Sequence, residues 1–406
     1  MEIGPILASL RKHRIPALLI VLEIALACAV LCNAVFLISA RAGEIRLPNA
    51  IDEQGLSVVM LTGADPDRAS SEIPRNLDAL RRIPGVQAAA VLNTMPLSGN
   101  GWNVNFTTRP DMKPTDKGSI NSNIYLMSEG ADRALGLRLK QGRMFGSEDY
   151  ANATMGATFA PETHVAIVSE RLASRLWPGQ SALGRRMYVD QYWYQVVGVV
   201  ADVLRPTKAG AGLPGIYDTV FFPMQPTDAF SYYVLRSAPA DRERVARQAE
   251  DTLARLDPGA VAEGKVFVDM RSDFFSGAAS MVWMLVLVCV VMLAVTAFGI
   301  VGLTSFWVAQ RRRQIGIRRA VGARRGHILS YFRTENFLLS AAGVALGMVL
   351  AFGINLYLMQ HYEVARMPWY YLPGGAIALW LLGQAAVFGP AWRAAAVPPV
   401  EATRSA

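Results

Sequence analysis

Four long apolar runs interrupt an otherwise mixed chain, at 15–40, 278–308, 337–359 and 372–391, and each reaches the roughly 20 residues that carry a helix across a bilayer. Between the first two runs, from 41 to 277, the pattern changes to short alternating or β-rich segments separated by turn residues. Strands are predicted at 56–61, 86–92, 103–107, 123–127, 165–168, 186–189, 192–200, 217–222, 232–236 and 265–270. Helical periodicity fits 71–82, 129–135, 169–176 and 242–256, with proline followed by glycine as the stop signal at Pro84-Gly85, Pro178-Gly179 and Pro258-Gly259. The expected fold class is therefore an α+β membrane protein, with four transmembrane helices and a large two-lobed α+β extracytoplasmic domain between helices 1 and 2. Strand, helix and strand recur at 56–92 and 232–270, so these pieces are expected to pair into one lobe, with 141–226 inserted as the second.

Charge orients the runs. Arg311, Arg312, Arg313, Arg318, Arg319, Arg324 and Arg325 all precede the first acid, Glu335, and cationic loops beside spans are retained in the cytoplasm. The layout that follows is a cytoplasmic segment at 1–14 ending in Arg11, Lys12 and Arg14, a span at 15–40, and a periplasmic α+β core at 41–277. A span at 278–308, a cytoplasmic basic coupling segment at 309–336, a span at 337–359, a short outer loop at 360–371, a span at 372–391 and a cytoplasmic tail at 392–406 complete it. Both termini are expected inside. The first run competes with a cleaved signal peptide, because Ser39, Ala40 and Ala42 are small, but it outruns the 7–15 residues of an ordinary signal core. Gly343, Gly347 and Gly353 are spaced for close helix contact in the third span. Glu23 sits about two turns into the first, either reaching the interface or making a polar contact inside the bundle.

Composition agrees with a membrane component: 406 residues, 52% apolar and 18% charged. The net charge of +8 gathers at span flanks rather than among exposed aromatics, so a nucleic-acid partner is not expected. Cys28, Cys32 and Cys289 all lie in apolar runs, which leaves 41–277 without a disulfide or thiolate site. The four histidines, His13, His164, His327 and His361, are scattered, and no metal cluster is expected. No GxxxxGK[ST] loop occurs, and Gly322-Ala323-Arg324-Arg325-Gly326-His327 lacks the lysine and hydroxyl such a loop needs. No catalytic residue is expected; were the outer domain an enzyme, Arg143, Glu148 and Asp149 would be the first places to look.

The segment 310–336 is both basic and bent. Ile317, Val321, Ile328 and Phe332 fall near one helical face, and Gly316, Gly322 and Gly326 favour two short helices over one. An anchor on anionic lipid and a docking helix for a partner both fit these residues. The run Arg311, Arg312, Arg313, Gln314, Ile315, Gly316, Ile317, Arg318, Arg319, Ala320, Val321, Gly322, Ala323, the Glu335 that follows, and Gly389-Pro390-Ala391-Trp392-Arg393-Ala394-Ala395 with Pro399-Val400-Glu401-Ala402 resemble the MacB/FtsX-like permeases of ABC transporters. Val165-Ala166-Ile167-Val168-Ser169-Glu170, Trp177-Pro178-Gly179 and Gln195-Val196-Val197-Gly198-Val199-Val200-Ala201-Asp202-Val203 resemble that family's periplasmic core domain.

The resemblance implies that Arg311 to Ala323 with Glu335 couple to a separate cytosolic ATPase subunit, which uses ATP and Mg, while this chain carries no cofactor. It also implies a bacterial inner-membrane location and a second permease copy, identical or paralogous. In some members a periplasmic adaptor and an outer-membrane duct complete the assembly. Efflux or extrusion of a substrate is the expected function, and an FtsX-like non-transporting scaffold that activates a periplasmic partner is the alternative. Gln314 stands where the family often has glutamate, which points to an altered contact with the ATPase.

Overall fold

Strand β1 (Leu56–Thr62) lies near one edge of a sheet, antiparallel to both β10 (Phe230–Arg236) and β11 (Val261–Val266), with Val58 opposite Val234 on one side and Lys265 on the other. The computed structural model describes residues 14–151, 153–156, 160–207, 215–226, 230–310, 325–362 and 366–396. The chain divides into two units, Arg46–Gly277 and the remainder, Met1–Ile45 with Ala278–Ala406.

Arg46–Gly277 is built on one 11-stranded sheet. Its other strands are β2 (Ala88–Leu92), β3 (Trp102–Phe106), β4 (Ile120–Met127), β5 (Leu139–Gly142), β6 (Val165–Ser169), β7 (Arg186–Val189), β8 (Tyr192–Val200) and β9 (Thr219–Pro223). The order is β11-β1-β10-β2-β4-β9-β6-β8-β5, with β3 added on β4 and β7 on β8. The strands from the two ends of the region therefore do pair. The sheet narrows in its middle, where β2 and β4 meet at the single pair Leu92 and Met127.

Helices α2 (Ala69–Arg81) and α5 (Arg242–Leu256) cover one face. Ile73, Leu77 and Leu80 recur at helical spacing, as do Val245, Ala249 and Leu253, and both stripes pack on Val59, Leu61, Val91, Tyr233 and Leu235. The alternate positions of the same strands, Leu56, Val58, Ala90, Leu92 and Val234, enter a second cluster with Tyr125 and Phe221. Covered on both faces, β1 is buried from Leu56 through Val59, which is why its apolar residues, Val58 to Leu61 after Ser57, run consecutively instead of alternating. A third cluster joins Ile124, Val168, Tyr194, Val196 and Phe222 to α4 (Glu170–Leu176), whose first turn is capped by the Ser169 hydroxyl accepting from the Leu172 amide. The short α3 (Ala131–Leu135) ends on Gly136 at φ 68°, a left-handed turn that glycine accommodates.

Two elements differ from expectation. The strand predicted at 265–270 ends at Val266, and a helix, α6 (Phe267–Gln310), begins ahead of the expected 278. Val266, Val268 and Met270 alternate like a strand, but Phe267, Met270 and Phe274 recur at i, i+3 and i+7 and pack into the cluster of Leu56 and Val58. Strand β5 was not predicted: Leu139–Gly142 is exposed and carries no apolar alternation, and its pairing with β8 holds it in place.

The second unit contains α1 (Arg14–Ile45), the continuation of α6, α7 (Arg325–Tyr362) and α8 (Tyr371–Ala396). Among the described residues, four stretches are long and apolar enough to cross a membrane: Arg14–Ile45, Phe267–Gln310, Ser330–His361 and Tyr371–Phe388. Small residues make the close approaches. A side chain at Gly343 would meet Ile24, one at Gly347 would meet Cys28 and Ala25, and one at Gly375 would meet the sulfur of Cys32. Gly353, expected to behave like its neighbours, faces open space. Polar side chains cross-link the helices: Asn33 Nδ2 donates to the Ala351 carbonyl at 3.1 Å and Asn336 Nδ2 to the Gly383 carbonyl at 3.0 Å.

Candidate functional site: the basic segment and the domain root

Arg311 through Ala323, the residues expected to couple to an ATPase, lie outside the described residues. Of the predicted site only Glu335 is described. It is 2% exposed on α7, one turn from buried Phe332 and Leu339, and so belongs to the bundle interior rather than to a surface. Glu23 of α1 is resolved in favour of the bundle: its carboxylate packs against Gly299 of α6, where any side chain would displace it.

The root of the soluble unit is tied by charge, a feature the sequence reading missed. Arg271, in the first turns of α6, donates from Nη1 to Glu53 Oε1 at 2.9 Å and from Nη2 to the Leu47 carbonyl at 2.6 Å. Asn49 Nδ2 donates to the same Glu53 oxygen at 3.0 Å, and Asn49 Oδ1 accepts from the Leu204 amide at 3.2 Å. The segment entering the unit and the helix leaving it are thus joined to each other and to the sheet. The pairing of Glu53 with Arg271 spans 218 positions, so neither residue announces the other. Nearby, Val58, Met60, Leu97, Tyr232, Met270 and Phe274 line an apolar cleft of about 310 Å³. Lys265 closes its rim, 2.8 Å from Glu263 and 3.9 Å from Asp273, and its hydrogen bond to Glu263 raises its pKa.

The fallback catalytic residues have structural employment. Arg143 forks onto Asp149 at 2.5 and 3.0 Å, and Asp149 also accepts from the Gly146 amide at 2.9 Å, closing the turn 146–150. Hydrogen bonding from Arg143 holds the Asp149 carboxyl below the usual carboxylate range against the opposing effect of burial. His164 stacks on Trp193 at 4.4 Å. Among the described residues no group of three or more potential metal ligands converges.

Residues 24–262 match the family model of the MacB-like periplasmic core domain, more than half of the chain, and residues 286–399 match that of the FtsX-like permease C-terminal region. The chain belongs to the MacB-type permeases of ABC transporters. Among relatives of this MacB-type chain, the macrolide export ATP-binding/permease protein MacB of Chromobacterium violaceum is 26% identical over 300 residues, 70% of this chain and 44% of that protein. The pyoverdine export ATP-binding/permease protein PvdT of Pseudomonas aeruginosa is 25% identical over 375 residues, 86% of this chain and 51% of that protein. YknZ of Bacillus subtilis, an uncharacterized ABC transporter permease, is 24% identical over 286 residues, 68% of each chain. This MacB-type chain spans about half the length of the ATP-binding/permease relatives it matches. Of solved structures, the periplasmic region of MacB from Actinobacillus actinomycetemcomitans covers 55% of this chain and 94% of its own, at 14% identity and a TM-score of 0.37.

Proposed function

We propose that this permease is the membrane subunit of a mechanically driven ABC exporter, working with a separate cytosolic ATPase that binds the ATP and Mg. The observation that carries the reading is the continuity of α6, 44 residues and about 66 Å at 1.5 Å per residue, against a hydrocarbon core of about 30 Å. A helix that begins inside a folded domain and continues into a span can hand displacement from one to the other, and Arg271 fastens its domain end to Glu53 and Leu47. Displacement at the basic segment, 309–336, then reaches the outer domain as motion rather than as an ion current. The chemistry of the spans supports this: apart from Glu44, Asp269 and Asp273 near the outer ends of their helices, the described acids are Glu23, packed on Gly299, and buried Glu335, too few for a proton path.

In this reading the basic segment and both termini are cytosolic, the domain at 41–277 is periplasmic, and the chain sits in the bacterial inner membrane. A second permease copy completes the transmembrane unit. The substrate is an exported compound of the kind the relatives' names carry, a macrolide or pyoverdine being two instances. Substituting Ile317→Asp together with Val321→Asp is expected to abolish co-purification with the ATPase and stimulation of its hydrolysis. Intact association would sink the coupling role. Export of a defined compound, lost on deletion, separates transport from scaffolding.

A further inference from the structure

Where the first turns of α7 pass the middle of α8, the two helices leave a groove of about 410 Å³ lined by Ser330, Arg333, Thr334, Phe337, Trp380 and Gln384. Its floor is apolar: the rings of Phe337 and Trp380 meet edge-on, 5.7 Å between centroids at 86°, and Phe337 is still 44% exposed. Its lip is cationic. Arg333, one helical turn before Phe337, is exposed and pairs with no carboxylate among the described residues. Gln384, one turn beyond Trp380, keeps its Nε2 shut off from solvent with no hydrogen-bond acceptor. An enclosed amide donor without an acceptor is destabilising, and an occupant that brings oxygen to it removes that cost.

The groove starts at the first turns of the candidate span Ser330–His361, where hydrocarbon gives way to headgroups, and reaches Trp380 and Gln384 within the candidate span Tyr371–Phe388. An occupant must offer acceptor oxygens and negative charge at one end and an apolar chain at the other. We propose that this groove binds one anionic phospholipid, with its phosphate at Arg333 and Gln384 and an acyl chain along Phe337 and Trp380. The inference rests on the placement of α7 and α8 in a membrane and not on export. A zwitterionic lipid also brings a phosphate, but its own ammonium competes with Arg333, so phosphatidylglycerol is preferred over phosphatidylcholine.

Trp380 reports occupancy directly. The purified full chain in neutral detergent is titrated with brominated phosphatidylglycerol or brominated phosphatidylcholine, and the fluorescence quenching of Trp380→Phe is subtracted to isolate that one indole. Half-quenching of Trp380 is expected at about tenfold lower phosphatidylglycerol, the worth of one charge-assisted hydrogen bond. Arg333→Gln erases the preference, Arg333→Lys keeps part of it, and Gln384→Leu weakens both lipids. Equal quenching by the two lipids, an unchanged preference in Arg333→Gln, or no Trp380 quenching by either because protein fills the groove would each overturn the proposal. So would loss of the preference in excess inorganic phosphate at matched ionic strength, which would mark a soluble-anion site. If Arg333→Gln does not fold, the two-lipid comparison on the unaltered chain decides alone.

Discussion

The soluble unit and the helix bundle dispose of their large apolar residues differently. In Arg46–Gly277 the largest side chains are inside: Tyr125, Phe221 and Phe222 are fully buried, and the Tyr125 hydroxyl donates to the Leu204 carbonyl at 2.8 Å. In the bundle many large apolar residues face outward, with Phe298 77%, Val349 70% and Leu287 63% exposed, and the interior mixes Ile20, Phe36, Ile300 and Phe332 with the glycines, alanines, cysteines and amides that make the close contacts. Water drives the first arrangement, because removing apolar surface from it is favourable. Lipid tails are as apolar as leucine, so in the bundle close backbone approach and hydrogen bonds across helices hold the spans together.

That contrast can be broken from either side. The largest effect is expected inside the soluble unit: Phe221→Ala should cost about 3–5 kcal/mol in a denaturation titration of the full chain. Phe298→Ala, a deletion of the same size on the bundle exterior, should stay near zero, and equal costs would mean that Phe298 faces protein rather than lipid. Next comes the root of the soluble unit. Arg271→Ala removes the bonds to Glu53 and Leu47 and should cost about 2 kcal/mol in the same denaturation titration, and a cost near zero would mean that these bonds do not hold the root.

Inside the bundle, Gly347→Ala forces a methyl against Cys28 and should destabilise by about 1–2 kcal/mol, whereas Gly353→Ala, with open space around it, should not. Thermal unfolding in detergent distinguishes the two glycines, and similar losses at both would refute the packing described. The smallest effect concerns pH. Because Asp149 has a lowered pKa in the folded protein, its pairing with Arg143 stabilises above about pH 4 and is lost as the solution is acidified through the folded value. Asp149→Asn should therefore flatten part of the acid limb of stability, by less than about 1 kcal/mol since the Arg143 side chain is half exposed and screened.

The spans, most strands and the helices that bear an apolar stripe were readable because each follows from local periodicity. The expectation that Arg311 to Ala323 and Glu335 couple to an ATPase rests on resemblance alone, and of that set Glu335 alone has a described position, inside the bundle. The start of α6 was misread for a physical reason. Val266, Val268 and Met270 alternate like an edge strand, and only the packing of Phe267, Met270 and Phe274 on the sheet reveals the helical stripe. Strand β5 has no pattern of its own and exists because β8 offers it hydrogen bonds.

Hydropathy alone was enough to specify how many helices can cross a membrane and where a water-soluble domain interrupts them, because the cost of exposing apolar residues to water depends on residue type and run length. Which glycines touch a neighbour, where Glu23 turns, and that Arg271 meets Glu53 across 218 positions depended on how distant segments pack, since close approach and ion pairing act between residues that no local pattern connects.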